Sequence, residues 1–150
     1  MDLDATDWLI LGELQRDGRV PFTELARRVH LSASATTERV RRLEADGVVT
    51  GYRAVVDLAR VGMTLLAVVR LKHHGNSHEP LQRRLQSAGH ILECLRITGD
   101  DCYTLRVAAT SMSQLEEFVN DLGRFGDTTT SLVYNQTLPY RGPQEPLAAL

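Results

Sequence analysis

Five residues between positions 33 and 41 carry side chains suited to lie against another molecule: Ala33, Ser34, Thr37, Glu38 and Arg41. Their spacings of one, three, four and seven or eight place them on a single face of a helix. Small and short polar side chains allow close approach to base edges in a DNA groove, and arginine reaches phosphate or guanine. Arg39, Arg41 and Arg42 fall within four residues, and sixteen of the 17 basic residues are arginine, the side chain shaped for forked contacts. Other candidate chemistry is thinner. His73, His74 and His78 match no established metal-ligand spacing, and the expected reading is solvated loop histidines with no metal. Cys94 and Cys102 flank a turn; with strands paired about Asp100, Cys94 faces roughly position 106, so two buried free thiols are expected. Asp100 and Asp101 are turn formers. No nucleophile with its base, no carboxylate pair at a known spacing and no phosphate loop is present, so neither an enzyme nor a cofactor is expected.

The elements that would position the stripe can be read around it. Ser32 is an N-cap for a helix over about 33–46, with Thr36, Val40 and Leu43 turned inward and Gly47 ending it. Pro21 fits the first turn of a preceding helix that carries Phe22, Leu25, Ala26 and Val29 inward. Glu24, Arg27 and Arg28 point outward, and small Ala26 lets the two helices approach. His30-Leu31-Ser32 is the tight turn between them. An earlier helix starts at Asp4, with Asp7 completing a capping box, Leu3 and Trp8 forming a staple, and Asp17-Gly18 stopping it. Val48–Tyr52 reads as a short strand or wing. The pattern predicts a helix-turn-helix, with Ser32, Ala33, Ser34, Thr37, Glu38, Arg41 and Arg42 as candidate DNA contacts. The alternative is a three-helix bundle whose outer face is merely solvated.

From residue 64 the hydrophobic period changes, and the domain boundary is placed there: 1–60 helical with a linker, 61–138 mixed, 139–150 a tail with three prolines. Expected elements are a strand over 64–72, a helix over 78–88 capped by Ser77, and a strand over 91–98. A strand over 102–109, a helix over 113–122 boxed by Ser113 and Glu116, and a strand over 128–137 follow. The order βαββαβ is ferredoxin-like, which makes the chain α+β overall. The composition, 43% hydrophobic and 24% charged with a net charge of −2, is that of a packed domain and gives bulk charge no role in nucleic-acid binding. Two cysteines, an acidic start and no long aliphatic run lead us to expect a soluble cytoplasmic protein without a membrane partner.

Leu3-Asp4, Asp7, Asp17-Gly18-Arg19, Glu24-Leu25-Ala26, Leu31-Ser32, Arg39–Glu44 and Gly47–Tyr52 are together similar to the Lrp/AsnC (leucine- and asparagine-responsive regulator) family. Thr98-Gly99-Asp100 before Tyr103 resembles that family's second domain, so the likeness runs in order over roughly 2–137. The resemblance implies a winged helix-turn-helix, a linker strand and a ferredoxin-like regulatory domain that dimerises, in many members to octamers. It implies an amino-acid effector held near Arg96, Thr98, Gly99, Asp100, Asp101 and Cys102, with an aspartate accepting from the ammonium group. Three positions depart from the family pattern: His30 for glycine, Cys102 for aspartate, and Gly123-Arg124 for Pro-Gly. Two other readings remain at this point: an effector-independent architectural DNA-binding protein, and a haem-precursor decarboxylase, which a related branch provides.

Overall fold

Helix α1 (Ala5–Arg16) begins where two carboxylates satisfy its free N–H groups. The Asp4 side chain accepts from the Asp7 N–H at 2.8 Å and the Asp7 side chain from the Asp4 N–H at 3.2 Å, the expected capping box. In the computed structural model residues 2–100 and 102–145 are described. They fall into two compact units, the first formed by residues 2–55 with 138–145 and the second lying within 56–137.

In the first unit, α2 (Phe22–Arg28) and α3 (Ala33–Ala45) complete three helices around Ile10, Leu11, Val20, Leu25, Val29, Val40 and Leu43. Trp8, Leu14, Leu31 and Val49 pack against that core from its margin. Pro21 caps α2 from outside rather than joining its first turn, which swings Phe22 to the surface at 44% exposure, not inward. The α2–α3 turn closes with the Leu31 N–H donating to the Ala26 carbonyl across His30, which takes φ 57°. A side chain in the left-handed region carries a steric cost that glycine avoids, partly offset by glycine's greater entropy when unfolded. His30→Gly is therefore expected to raise the stability of this unit by about 0.5–1 kcal/mol, read from urea unfolding followed by Trp8 fluorescence.

The expected wing is not a strand. Both Val48 and Val49 donate their N–H groups to the Leu43 carbonyl, and Val49 turns into the core, so this backbone is spent on closing α3. Tyr52 returns to the same helix, its hydroxyl donating to Glu44 Oε1 at 2.9 Å. Burial first, and then the Glu44 carboxylate, push that hydroxyl's pKa up to about 12.

The second unit is an antiparallel sheet of β1 (Leu65–His73), β2 (Ile91–Arg96), β3 (Tyr103–Ala109) and β4 (Gly126–Leu132) in the order β2-β3-β1-β4. Helices α4 (Glu79–Gln86) and α5 (Met112–Leu122) complete βαββαβ, the ferredoxin-like arrangement. Ala67, Val69 and Leu71 on β1 and Tyr103, Leu105, Val107 and Ala109 on β3 meet Leu81, Leu85, Leu115, Phe118 and Leu122 in the core. Several sequence expectations shift by a few residues. Ser111, not Ser113, caps α5, because Gln114 Oε1 also takes the Thr110 N–H. His78 occupies the α4 cap position but its side chain makes no capping bond to the helix, and Ser77 only reaches the Glu79 N–H at 3.4 Å. Strand β4 starts early at Gly126, where a Cβ would lie 1.9 Å from the Lys72 carbonyl oxygen. It stops at Leu132, opposite Ala67 of β1, and beyond it a single bond from the Val133 N–H to the Leu66 carbonyl at 2.8 Å continues the pairing.

Candidate nucleic-acid interface and effector loop

The side chains that spacing assigned to one stripe share one surface. Ala33, Ser34, Thr37, Glu38 and Arg41 line a shallow concavity along α3. The Ser32 hydroxyl caps the helix, accepting from the Ala35 N–H at 3.2 Å, and lies 3.1 Å from Ser34 Oγ. Thr37 Oγ1 donates back to the Ala33 carbonyl at 2.8 Å. Among the described residues, the exposed side chains of Glu38 and Arg41 have no hydrogen-bond or ion-pair partner.

Arg39 and Arg42 behave differently. Arg39 Nη1 donates to Asp4 Oδ2 at 2.7 Å and Asp7 Oδ1 at 2.8 Å, while Arg42 Nη2 donates to both Asp7 oxygens at 2.9 Å. Asp7 is only 1% exposed. Two of the three clustered arginines therefore clamp α3 to the start of α1, and Arg41 is left facing outward. Spacing alone points to a capping role for Asp7; the signal for its second role is that 39 and 42 share a helix face which 41 does not.

Further ion pairs rim the unit. Arg27 and then Arg28 beside Glu24 drive its carboxyl down to about 2 from an ordinary 4.5. A hydrogen bond from Arg28 holds Glu13 low, and one from Arg39 holds Asp4 low. A carboxylate whose pKa is depressed by folding contributes stability above its unfolded value and loses it as pH falls through its folded value. The helical unit is thus expected to weaken progressively between about pH 4.5 and pH 2, with the loss reduced by salt because these pairs are solvent-exposed. Trp8, the single tryptophan, reads this in urea titrations at pH 5 and pH 3.

In the second unit, the β2–β3 turn closes with the Ile97 N–H donating to the Cys102 carbonyl at 3.0 Å. Thr98, Gly99 and Asp100 lie exposed on it, with Gly99 at φ 109°, a conformation only glycine adopts readily. Asp101 lies outside the described residues. Cys102 is half-buried, its N–H held by the Leu71 carbonyl at 2.9 Å. The turn is centred between Gly99 and Asp100, so Cys94 pairs with Leu105 rather than position 106; both thiols are free, and Cys94 is exposed rather than buried. The Arg96 side chain reaches the cap residue of α4, its Nη2 lying 2.9 Å from His78 Nε2. His78 Nδ1 lies 2.9 Å from the Tyr103 hydroxyl. Burial first, then the charges of Arg96 and His73, lower the pKa of His78. His73 Nδ1 and Nε2 lie 2.9 Å and 3.0 Å from the Phe125 and Ser77 carbonyl oxygens. These histidines thus hold loops in place, and among the described residues no group of three potential ligands is arranged for a metal.

Residues 3–44 match the AsnC-type helix-turn-helix domain, and residues 64–143 match the Lrp/AsnC ligand binding domain. The chain belongs to the Lrp/AsnC family. It is 32% identical to the HTH-type transcriptional regulator LrpC of Bacillus subtilis, over 91% of this chain and 94% of that protein. The solved structure of B. subtilis LrpC superposes with a TM-score of 0.89 at 31% identity, covering 93% of this chain and 100% of that one. The leucine-responsive regulatory protein of Escherichia coli K12 is 34% identical over 90% of this chain and 87% of its own. A transcriptional regulator of Neisseria meningitidis solved as an L-Met complex superposes with a TM-score of 0.86 at 29% identity, covering 93% of this chain and 94% of its own. As a member, this chain is a DNA-binding transcription regulator with a ligand-binding domain. No helix among the described residues is long and apolar enough to cross a membrane.

Proposed function

We propose that this regulator grips DNA with the outer face of α3 and that an amino acid at the Thr98–Cys102 turn sets the strength of that grip. The observation that carries the reading is the α3 concavity, whose polar and small side chains face outward while Arg39 and Arg42 brace the helix from behind. Ser32, Ala33, Ser34, Thr37, Glu38 and Arg41 form the contact surface, with Arg42 serving mainly to hold α3 in place. The working unit is a dimer or larger even assembly, because paired recognition helices read half-sites one turn of DNA apart. Apolar Leu66, Val68 and Leu95 lie on the sheet face opposite the helices and favour cover by a second copy. The protein acts in the cytoplasm by binding alone, without enzymatic turnover.

The exposed turn offers Asp100, and Asp101 beside it in sequence, as acceptors for an ammonium group. Backbone N–H groups near Gly99 supply donors for the carboxylate. The Neisseria relative holds methionine, and Cys102 makes this turn less acidic than the family's, so an apolar amino acid is the preferred ligand. A ligand shifts DNA affinity only if it favours one assembly or conformation over another. Thermal shift against the twenty amino acids, followed by duplex titration with any hit, is expected to find one that changes DNA affinity roughly 5- to 150-fold. Asp100→Ala is expected to abolish that change. If calorimetry at millimolar concentration detects no amino acid, an effector-independent architectural role replaces the ligand half of this proposal.

A further inference from the structure

We infer that Glu38 selects cytosine at one position of each DNA half-site. The inference rests on the α3 face being the DNA contact. Within that face a carboxylate is out of place on grounds of affinity alone, because phosphates surround any helix in the major groove and repel it. Glu38 nevertheless lines the concavity between Ser34 and Arg41, exposed and without a partner among the described residues. Arg39 and Arg42 answer Asp4 and Asp7 instead, and Arg41 leaves the carboxylate unpaired.

The chemistry of the groove narrows what such a group can read. An ionised carboxylate accepts hydrogen bonds and donates none. Donors on the major-groove edges are the exocyclic amines of cytosine and adenine. Adenine sets its N7 acceptor beside that amine, so the second carboxylate oxygen would face a lone pair. Cytosine presents its amine without a neighbouring acceptor. Guanine and thymine offer acceptors at this edge and would leave Glu38 desolvated and repelled. The residue thus lowers affinity for DNA in general while sparing sites with cytosine in its reach, which raises the ratio of specific to non-specific binding.

The test selects bound duplexes from a pool of 30-base-pair DNA with a randomised centre, using the full-length wild type, E38Q and E38A. Glu38 is exposed in mid-helix and alanine is the strongest helix former, so E38A folds; circular dichroism verifies this. The wild type is expected to enrich cytosine roughly fivefold or more at one position per half-site. E38Q should convert that position to adenine, which glutamine reads through N6 and N7. E38A should flatten that position alone and bind an unselected duplex more tightly than the wild type. Unchanged base frequencies at every position in E38A would overturn the inference and leave the DNA interface standing. A wild type that enriches no sequence from the pool would overturn sequence-specific DNA recognition and the inference with it.

Discussion

Asp7→Ala is expected to lower the stability of the helical unit by about 3 kcal/mol, within the range measured when one partner of a buried ion pair is removed. One carboxylate, 1% exposed, accepts from the Asp4 N–H, from Arg39 and twice from Arg42. Removing it takes away half of the capping box, the whole Arg42 link and one of the two Arg39 bonds between α3 and the start of α1, leaving the Arg39–Asp4 pair. The Arg39 and Arg42 side chains are 29% and 47% exposed and can turn to water, which keeps the loss near the lower end of that range. For a unit of this size the melting temperature should fall by roughly 10–20 °C. Trp8 follows Asp7 directly in sequence and reports the transition. A loss below about 1 kcal/mol would show that Asp7 is only a helix cap, since that is what a cap alone contributes.

Arg41→Ala is expected to act on binding and not on folding. Its side chain is exposed and, among the described residues, unpartnered, so truncation removes no contact inside the protein. If Arg41 reaches a guanine edge, affinity for the selected site falls by about 1–3 kcal/mol while affinity for unselected DNA barely changes. If it reaches phosphate, affinity falls on all sequences and the slope of log K against log salt drops by about one. Fluorescence anisotropy with a labelled duplex at several salt concentrations separates these outcomes. Arg39→Ala provides the contrast: it should weaken folding through Asp4 and Asp7 and leave the salt slope unchanged. Unaltered affinity and slope for Arg41→Ala would remove that residue from the interface.

Features that need only their own stretch of backbone are legible in the sequence, and those that need a distant partner are not. Asp4 and Asp7 stand three residues apart, and their box needs only its own backbone, so it was legible; so was the inward stripe of Thr36, Val40 and Leu43. The second task of Asp7 was hidden, because its arginines lie more than thirty residues away. Val48–Tyr52 has the branched and aromatic residues of a strand, but its first N–H groups are taken by the Leu43 carbonyl and are not free to pair with another strand. Ser113 and Glu116 have box spacing; Ser111 wins because Gln114 both extends the cap and holds Thr110. At the β2–β3 turn the run Thr98-Gly99-Asp100 was readable as a turn, whereas the placement of Arg96 on His78 depends on where α4 begins.

Affinity cleavage reads directly whether the outer face of α3 lies in the major groove. Ser34→Cys, in a background with Cys94 and Cys102 replaced by serine, would carry an iron chelate onto a selected duplex. With α3 in the major groove, two clusters of strand cuts are expected on that side, separated by one helical turn of about 10–10.5 base pairs or a multiple of it. Bound protein that leaves the DNA uncut, or cuts it only from the minor groove, would show that another surface makes the contact.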